Sequence, residues 1–375
     1  MKPKLTYVTL DSLSEGVGAS QVREYVLLMS KRFDITLISF EKDFANVGTD
    51  TSLTDAGVIW KPQDFGNFGL FGGLRRAFRL LKIVPRHEVI HARSDFCASL
   101  AILKGNRRVI WDCRALMSDH RRSIHKSGLI TFEVAIFRLL EYICAKGSLE
   151  IIIITNAVKP VLTRRYNLSA EKFTVIPTCV NLEKFQLSPM PSDSVCSILI
   201  AGTLSAGYDF ELMNLIIHNI SNKVETTVTV ALGQGHDDAW RQLNKVDSVV
   251  SLPHFAMPDL IARHKVGLAI WKNSLGVCLT SVAATKFAEF LAVGRPVIVN
   301  FNQGDIGKIV ESNNIGVSTK EIDSESINFY TDRILSLLEE PDLTARCRMV
   351  AERDFNLNSA SDILAAIYFR VHSFQ

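Results

Sequence analysis

Short apolar runs of four to six residues, each followed by a stretch with helical spacing, recur along the whole chain, and this alternation restricts the fold more than any single residue does. In the first half the runs are Leu5 to Leu10, Ile35 to Phe40, Val89 to Ala92, Val109 to Asp112, Ile151 to Thr155 and Phe173 to Pro177. In the second they are Ser197 to Ala201, Thr227 to Leu232, Ser248 to Leu252, Val266 to Ile270 and Pro296 to Asn300. Runs this short and continuous fit strands covered on both faces, and the helical stretches supply the crossovers that a parallel sheet needs. The chain reads as two α/β domains of Rossmann-like type in tandem. Pro189 and Pro191, set among small polar residues, mark Cys179 to Ser194 as a linker and place the boundary near residue 186.

With 375 residues and 47% hydrophobic content, the chain has apolar surface enough for two cores. Its start, Met-Lys-Pro-Lys-Leu-Thr-Tyr-Val, lacks the apolar stretch of a signal peptide, and no apolar run approaches the roughly 20 residues that span a bilayer. The expected location is the cytoplasm, up to the inner face of the cytoplasmic membrane. The seven cysteines are scattered and include no C-x-x-C pair, which implies reduced thiols and no structural zinc. No His, Cys, Asp and Glu set has the spacing of a catalytic metal site, and no P-loop, G-x-S-x-G or nucleic-acid motif occurs. The net charge of +3 conceals an asymmetry: residues 1–185 carry 27 Lys and Arg against 18 Asp and Glu, whereas residues 186–375 carry 15 against 21. A basic first half suits a phosphate-rich acceptor or an anionic membrane face, although a solvated surface with no special partner is the commoner explanation of such an asymmetry.

Three constellations can carry chemistry. Thr285 to Val299 reads as a helix stopped by Gly294 and Pro296 and delivered into a strand, with Thr285 and Glu289 sharing one face and Lys286 beside them. The free N–H groups of that helix's first turn suit a diphosphate, Lys286 adds positive charge, and Glu289 can accept two sugar hydroxyls. The turn Gly16-Val17-Gly18-Ala19-Ser20 follows the first strand, but position 21 is Gln where a dinucleotide fingerprint needs a third glycine. His91-Ala92-Arg93-Ser94 and Trp111-Asp112-Cys113-Arg114 end two strands, where open α/β sheets bind ligands. Arg93 and Arg114 can grip phosphate; Asp112 can orient a hydroxyl, stabilise developing positive charge, or simply pair with the arginines and hold loops together.

These residues resemble the retaining family 4 glycosyltransferases, most of all at residues 91–116, 173–185 and 282–316, and the likeness covers nearly the whole chain. Asp112 and Arg114, with Ile176-Pro177-Thr178-Cys179-Val180-Asn181-Leu182-Glu183-Lys184-Phe185, match a bacterial subgroup in which aspartate and arginine replace the histidine common elsewhere. The resemblance implies a GT-B fold, two Rossmann-like domains facing a cleft: residues 1–185 on the acceptor side, 186–356 binding the nucleotide sugar, and 357–375 as a tail helix crossing back to the first domain. It implies Glu289 on the ribose, Asp112 with Arg114 and Arg93 beside the reacting sugar, and Gly16, Gly18 and Ser20 lining the cleft. Two departures stand out. Ser281 occupies the position, eight residues before Glu289, where much of the family has a glutamate on the donor sugar. The loop Ala201-Gly202-Thr203-Leu204-Ser205-Ala206-Gly207-Tyr208 lacks the family's arginine and lysine, so Lys272 and Lys286, with Arg93 or Arg114 across the cleft, are expected to neutralise the leaving diphosphate.

The implied reaction needs no cofactor or metal: a nucleoside-diphosphate sugar is the substrate, and the sugar passes with retention to a hydroxyl of a glycan or lipid-linked acceptor in bacterial surface-glycan synthesis. A GT-B epimerase acting on the same donor, and a catalytically silent nucleotide-sugar-binding subunit, are the alternative readings. The segment from Phe65 to Lys82 combines aromatic residues with a basic helix; it fits an anionic membrane surface, or a loop packed on a core helix.

Overall fold

A computed structural model describes residues 2–14, 16–47, 51–124, 130–233, 238–282, 285–320 and 323–374. The chain forms two compact units, Met1–Pro177 with Leu357–Gln375, and Thr178–Asn356. The division thus falls at Pro177 and not at the expected residue 186. Val180 belongs with the second unit because its N–H donates to Phe355 O and it bridges to Asn356.

The first unit contains β1 (Lys4–Thr9), β2 (Asp34–Glu41), β3 (Ile59–Asp64), β4 (Val89–Arg93), β5 (Val109–Cys113), β6 (Glu150–Ile153) and β7 (Phe173–Val175). All pair in parallel in the order β3-β2-β1-β4-β5-β6-β7. The central strands β4 and β5 are buried at every position, which is why they read as unbroken apolar runs. β3 escaped the sequence pattern because it is half exposed at the sheet edge and contains Pro62, tolerated only where one side of the ladder is open. The tail helix Leu357–Ser373 packs on this unit: Tyr368 Oη lies 2.9 Å from His91 Nδ1, and Arg370 donates to Glu150 at 2.6 Å.

The second unit contains β8 (Cys196–Ala201), β9 (Thr226–Leu232), β10 (Ser248–Ser251), β11 (Val266–Ala269), β12 (Val297–Asn300) and β13 (Gly316–Thr319). They form a parallel sheet ordered β10-β9-β8-β11-β12-β13. In each sheet the strand order reverses beside the first strand, at β1/β4 and β8/β11. The carboxyl ends there are where such sheets take ligands.

One buried cation organises the back of the second unit. Arg295, in the turn between helix Thr285–Val293 and β12, is wholly inaccessible and spends its guanidinium on carbonyls of His264, Ser188, Pro189, Ala262 and Val293 at 2.7 to 3.2 Å. Burial without a carboxylate partner pulls its pKa down to about 10. Arg295→Met should therefore orphan several buried carbonyls and lower stability by at least about 3 kcal/mol, since each unsatisfied group costs about 1 to 3 kcal/mol. Urea unfolding reads this directly, and an unchanged midpoint would show that the carbonyls find other donors.

Candidate functional site

At the working end of the first unit, register does the assembling. Parallel pairing sets Arg93 beside Asp112 and His91 beside Tyr7. Asp112 is fully buried and both its oxygens are engaged. Oδ2 lies 3.2 Å from His91 Nε2 and 3.4 Å from Arg93 Nη1; Oδ1 lies 2.7 Å from Arg114 Nε. Arg93 Nε also donates to Asp11 Oδ2 at 2.6 Å. Burial alone would raise the Asp112 pKa, but Arg114, His91 and Arg93 together hold it well below the ordinary carboxylate range. His91 is held down instead, chiefly by burial, and is sandwiched by Tyr7, stacked at 4.2 Å, and the Tyr368 hydroxyl. Asp112 is thus a buried anchor that aims two arginines. Arg114 is the more accessible of them, at 17% side-chain exposure, and its Nη1 is buried without a hydrogen-bond partner. Beside them Ser94 holds a φ of 105°, rare for a non-glycine residue, where it caps helix Asp95–Leu103. Behind it, burial and then the Glu141 charge push the Asp95 carboxyl up to about 8, leaving it mostly protonated at neutral pH.

The loop after β1 is pinned by a residue that sequence reasoning passed over. Glu41, at the end of β2, accepts from Ser12 Oγ at 2.7 Å, Ser39 Oγ at 2.5 Å and the Leu13 N–H at 3.0 Å. Gly18 is the contact that lets the next helix approach: a Cβ there would stand 1.9 Å from Ser12 O. Gly16 is exposed, and Ser20 Oγ donates to Gly16 O at 3.0 Å, so these two shape the turn.

In the second unit the uncharged loop after β8 is supplied with a cation from elsewhere. Lys286 Nζ donates to Tyr208 Oη at 2.7 Å and sits 5.2 Å from that ring's centroid; the ring stacks on Trp271 at 4.2 Å. Gly202, with φ 116°, leaves the room: a Cβ on it would lie 2.3 Å from Lys286 Nζ. Asn300 secures Trp271, bonding its N–H at 2.7 Å and its carbonyl at 2.8 Å. Thr203 is exposed; Thr285 and Lys272 are half buried, and the Lys272 N–H donates to Gly207 O at 2.9 Å. Ser281 is buried, with its hydroxyl on Cys278 O at 2.9 Å.

One turn further along helix Thr285–Val293, buried Glu289 meets His254, Oε1 to Nε2 at 2.8 Å. His254 follows the end of β10, and its ring tilts against Phe185 at 5.5 Å. Neither His254, Tyr208, Trp271 nor Glu41 belongs to a recognisable motif. His254 and Glu41 carried a usable hint, as polar residues just past the carboxyl ends of apolar runs. Among the described residues no group of three or more His, Cys, Asp or Glu side chains is placed to hold a metal ion.

Two doubly wound parallel sheets of this order are the architecture of the GT-B fold. Residues 22–184 match the model of Glycosyltransferase Family 4. A UDP-Gal:alpha-D-GlcNAc-diphosphoundecaprenol alpha-1,3-galactosyltransferase of Escherichia coli is 27% identical over 98% of this chain and 97% of its own length. Sucrose-phosphate synthase of Thermosynechococcus elongatus superposes with a TM-score of 0.76 over 100% of both chains at 12% identity. Anabaena HepE, solved with UDP and glucose, superposes with a TM-score of 0.70 over 97% of this chain and 98% of its own at 14% identity. The two structural likenesses speak for the fold; the family-model match and the Escherichia coli relative support a family 4 glycosyltransferase.

The depressed Asp112 pKa carries a pH signature. Its stabilising contribution is fully present above the unfolded value, about 3.9, and is lost as pH falls through the lower folded value. Denaturation midpoints should therefore fall below about pH 4 in the parent protein. Asp112→Asn should be less stable at neutral pH, with Arg114 deprived of its carboxylate and Arg93 left with Asp11 alone, and should show a flatter acid limb. An acid limb identical to the parent's would mean that Asp112 is not held ionised.

Proposed function

We propose that this enzyme moves a hexosyl group from a nucleoside-diphosphate donor to a hydroxyl of a lipid-linked acceptor, with retention at the anomeric carbon and without a metal, in bacterial surface-glycan synthesis. The observation that carries the reading is the Lys286 ammonium lying over Gly202 at the carboxyl end of β8. That places one fixed positive charge beside the first turn of a nine-residue helix whose N–H groups favour anions. A departing diphosphate would be stabilised there, with Lys272 as a second cation. Glu289 would hold the ribose hydroxyls while His254 fixes the carboxylate's orientation. The name of the Escherichia coli relative supports a UDP-linked hexose and a diphospholipid acceptor, and the UDP in the Anabaena structure supports testing uridine first.

The sugar's anomeric carbon exchanges its bond to the diphosphate oxygen for one to the acceptor oxygen on the same face, and the nucleoside diphosphate leaves with the electron pair and takes up the acceptor hydroxyl's proton. In the first unit, Arg114 is the group proposed to touch the reacting molecules, with Arg93 beside it; Asp112, enclosed as it is, acts as the positioning residue. A lipid-linked acceptor would bring the reaction to an anionic membrane surface. No single helix among the described residues is long and apolar enough to cross a membrane, so the contact would be peripheral. Incubation with a panel of UDP-hexoses and a diphospholipid-linked sugar, read by mass spectrometry and NMR, tests the whole reading. Failure to transfer any sugar, or an inverted linkage, would overturn it.

Glu289→Ala should raise the Kd for UDP by roughly 10- to 100-fold, because hydrogen bonds to a charged acceptor contribute about 1.5 to 3 kcal/mol and each 1.4 kcal/mol is tenfold. Calorimetry on the folded variant measures it; an unchanged Kd removes Glu289 from the ribose. Arg114→Ala should instead lower kcat while leaving UDP affinity within about twofold, the pattern of an interaction made only in the transition state. Normal turnover in that variant would sink the proposed role of the first unit's arginine pair.

A further inference from the structure

Helix Gly69–Ile83 and the turn before it carry a face that the protein itself leaves uncovered. Phe68, Leu70, Phe71, Leu74 and Phe78 are 76%, 65%, 87%, 59% and 61% exposed, far beyond the scattered apolar residues of an ordinary surface. Leu70, Leu74 and Phe78 recur at i, i+4 and i+8 along one stripe, with Phe71 beside it and Phe68 at its tip.

The tip is held rigidly, and by basic residues that a sequence reading would assign to the surface. Arg76 is buried: Nη1 donates to the carbonyls of Phe65 and Asn67, both at 2.9 Å, and its guanidinium lies 4.0 Å from the Phe65 ring centroid. Arg79 donates to Asp64 O at 2.7 Å and pairs with the Asp64 carboxylate at 3.6 Å. Exposed cations remain at Arg75, Lys82 and Arg86, and residues 65–87 contain no Asp or Glu.

We infer that this segment is a hydrophobic wedge that inserts into the interfacial region of an anionic lipid bilayer, with Phe68, Phe71 and Leu74 as the inserted side chains. An aromatic-aliphatic face whose segment carries the exposed cations Arg75, Lys82 and Arg86, with the nearby Asp64 already paired to Arg79, complements acidic headgroups above and acyl chains below, whereas a protein partner with a mixed-charge rim would meet excess positive charge. Arg76 and Arg79 prefold the tip, so insertion orders little chain. This deepens the proposed function by naming what brings the enzyme to a lipid-linked acceptor, and it rests on that reading only for its purpose.

The test is sedimentation of the full chain with vesicles of phosphatidylcholine and phosphatidylglycerol, at physiological salt and at 1 M salt, where screening shrinks to about 3 Å. The parent should stay substantially bound at high salt. A Phe68→Ser, Phe71→Ser, Leu74→Ser triple variant should bind at least about a hundredfold more weakly at both salts, as expected from the apolar area withdrawn from lipid. An Arg75→Gln, Lys82→Gln variant should lose about thirtyfold at physiological salt, with little further difference at 1 M. Phe71→Trp should shift its fluorescence to the blue on vesicles and be quenched by brominated lipid. Because these side chains are exposed, all variants should unfold at the parent's temperature, and the triple variant should use a water-soluble acceptor at the parent's rate while failing on a vesicle-embedded one. Complete release of the parent by salt, or parent-like sedimentation of the triple variant, overturns the wedge. So does a concentration-dependent dimer that the triple variant abolishes while lipid is ignored, which would make the face a protein interface. If no acceptor is glycosylated at all, the functional reading fails while vesicle binding still decides the wedge.

Discussion

A carboxylate taken wholly out of water must be neutralised where it stands, and Asp112 imposes that demand on the first unit's working end. Its two oxygens fix Arg93, Arg114 and His91, and those in turn fix Asp11, Tyr7 and Tyr368. The arrangement is costly to assemble, since desolvating an ion in a low-dielectric interior can exceed the attraction it gains. What it supplies is direction. Arg114 is held by an ion pair with Asp112, and its buried Nη1 makes no hydrogen bond, so its fork is oriented by the carboxylate alone. The tail helix belongs to the same device, because the Tyr368 hydroxyl reaches the second ring nitrogen of the histidine that touches Asp112.

The second unit reaches a comparable end with less charge. Its glycine loop carries no cation, and helix Thr285–Val293 delivers one over it through Lys286, propped on the Tyr208 ring and the Trp271 stack. Cation and aromatic faces attract one another, and Tyr208 also accepts the lysine's proton donor, so the ammonium is held without an acidic partner among the described residues to cancel it. Glu289 is different: His254 occupies one of its oxygens. A carboxylate so held keeps a fixed plane in which two neighbouring hydroxyls can be bound together.

Against these inward-facing sites, the stripe from Phe68 to Phe78 reverses the usual partition of the chain. Long apolar side chains lie outside while Arg76 is buried beneath them. The inversion is held by Nη1, which donates to the carbonyls of Phe65 and Asn67, and by the Phe65 face lying against the guanidinium. Arg295 is satisfied in the same way in the second unit, by carbonyls alone. A charge seen in a sequence therefore says little about which side of a helix it will occupy. Its hydrogen-bond partners decide, and in both cases those are backbone groups of distant or irregular chain.

Much of the fold was legible in the chain because buried strands need continuous apolar runs and crossover helices need their own periodicity; β1, β2, β4 to β7 and β8 to β12 were marked this way, as was the stop at Gly294, where φ is 87°. Residue type at the strand ends likewise marked Arg93, Asp112 and Arg114, and position on the helix from Thr285 marked Lys286 and Glu289, as the polar groups to watch. Edge strand β3 was not marked, since a strand half open to water has no need of an apolar run, and β13 was not marked although it is buried, because Gly316, Ser318 and Thr319 interrupt its apolar character. Nor could sequence give the pairings, for Lys286 meets Tyr208 78 positions away, Glu289 meets His254 35 away, and His91 meets Tyr368 277 away. Local periodicity records whether a position faces oil or water, which the sequence by itself determines. Which buried charge answers which depends on the register and crossing of elements remote along the chain, and that only the tertiary structure decided.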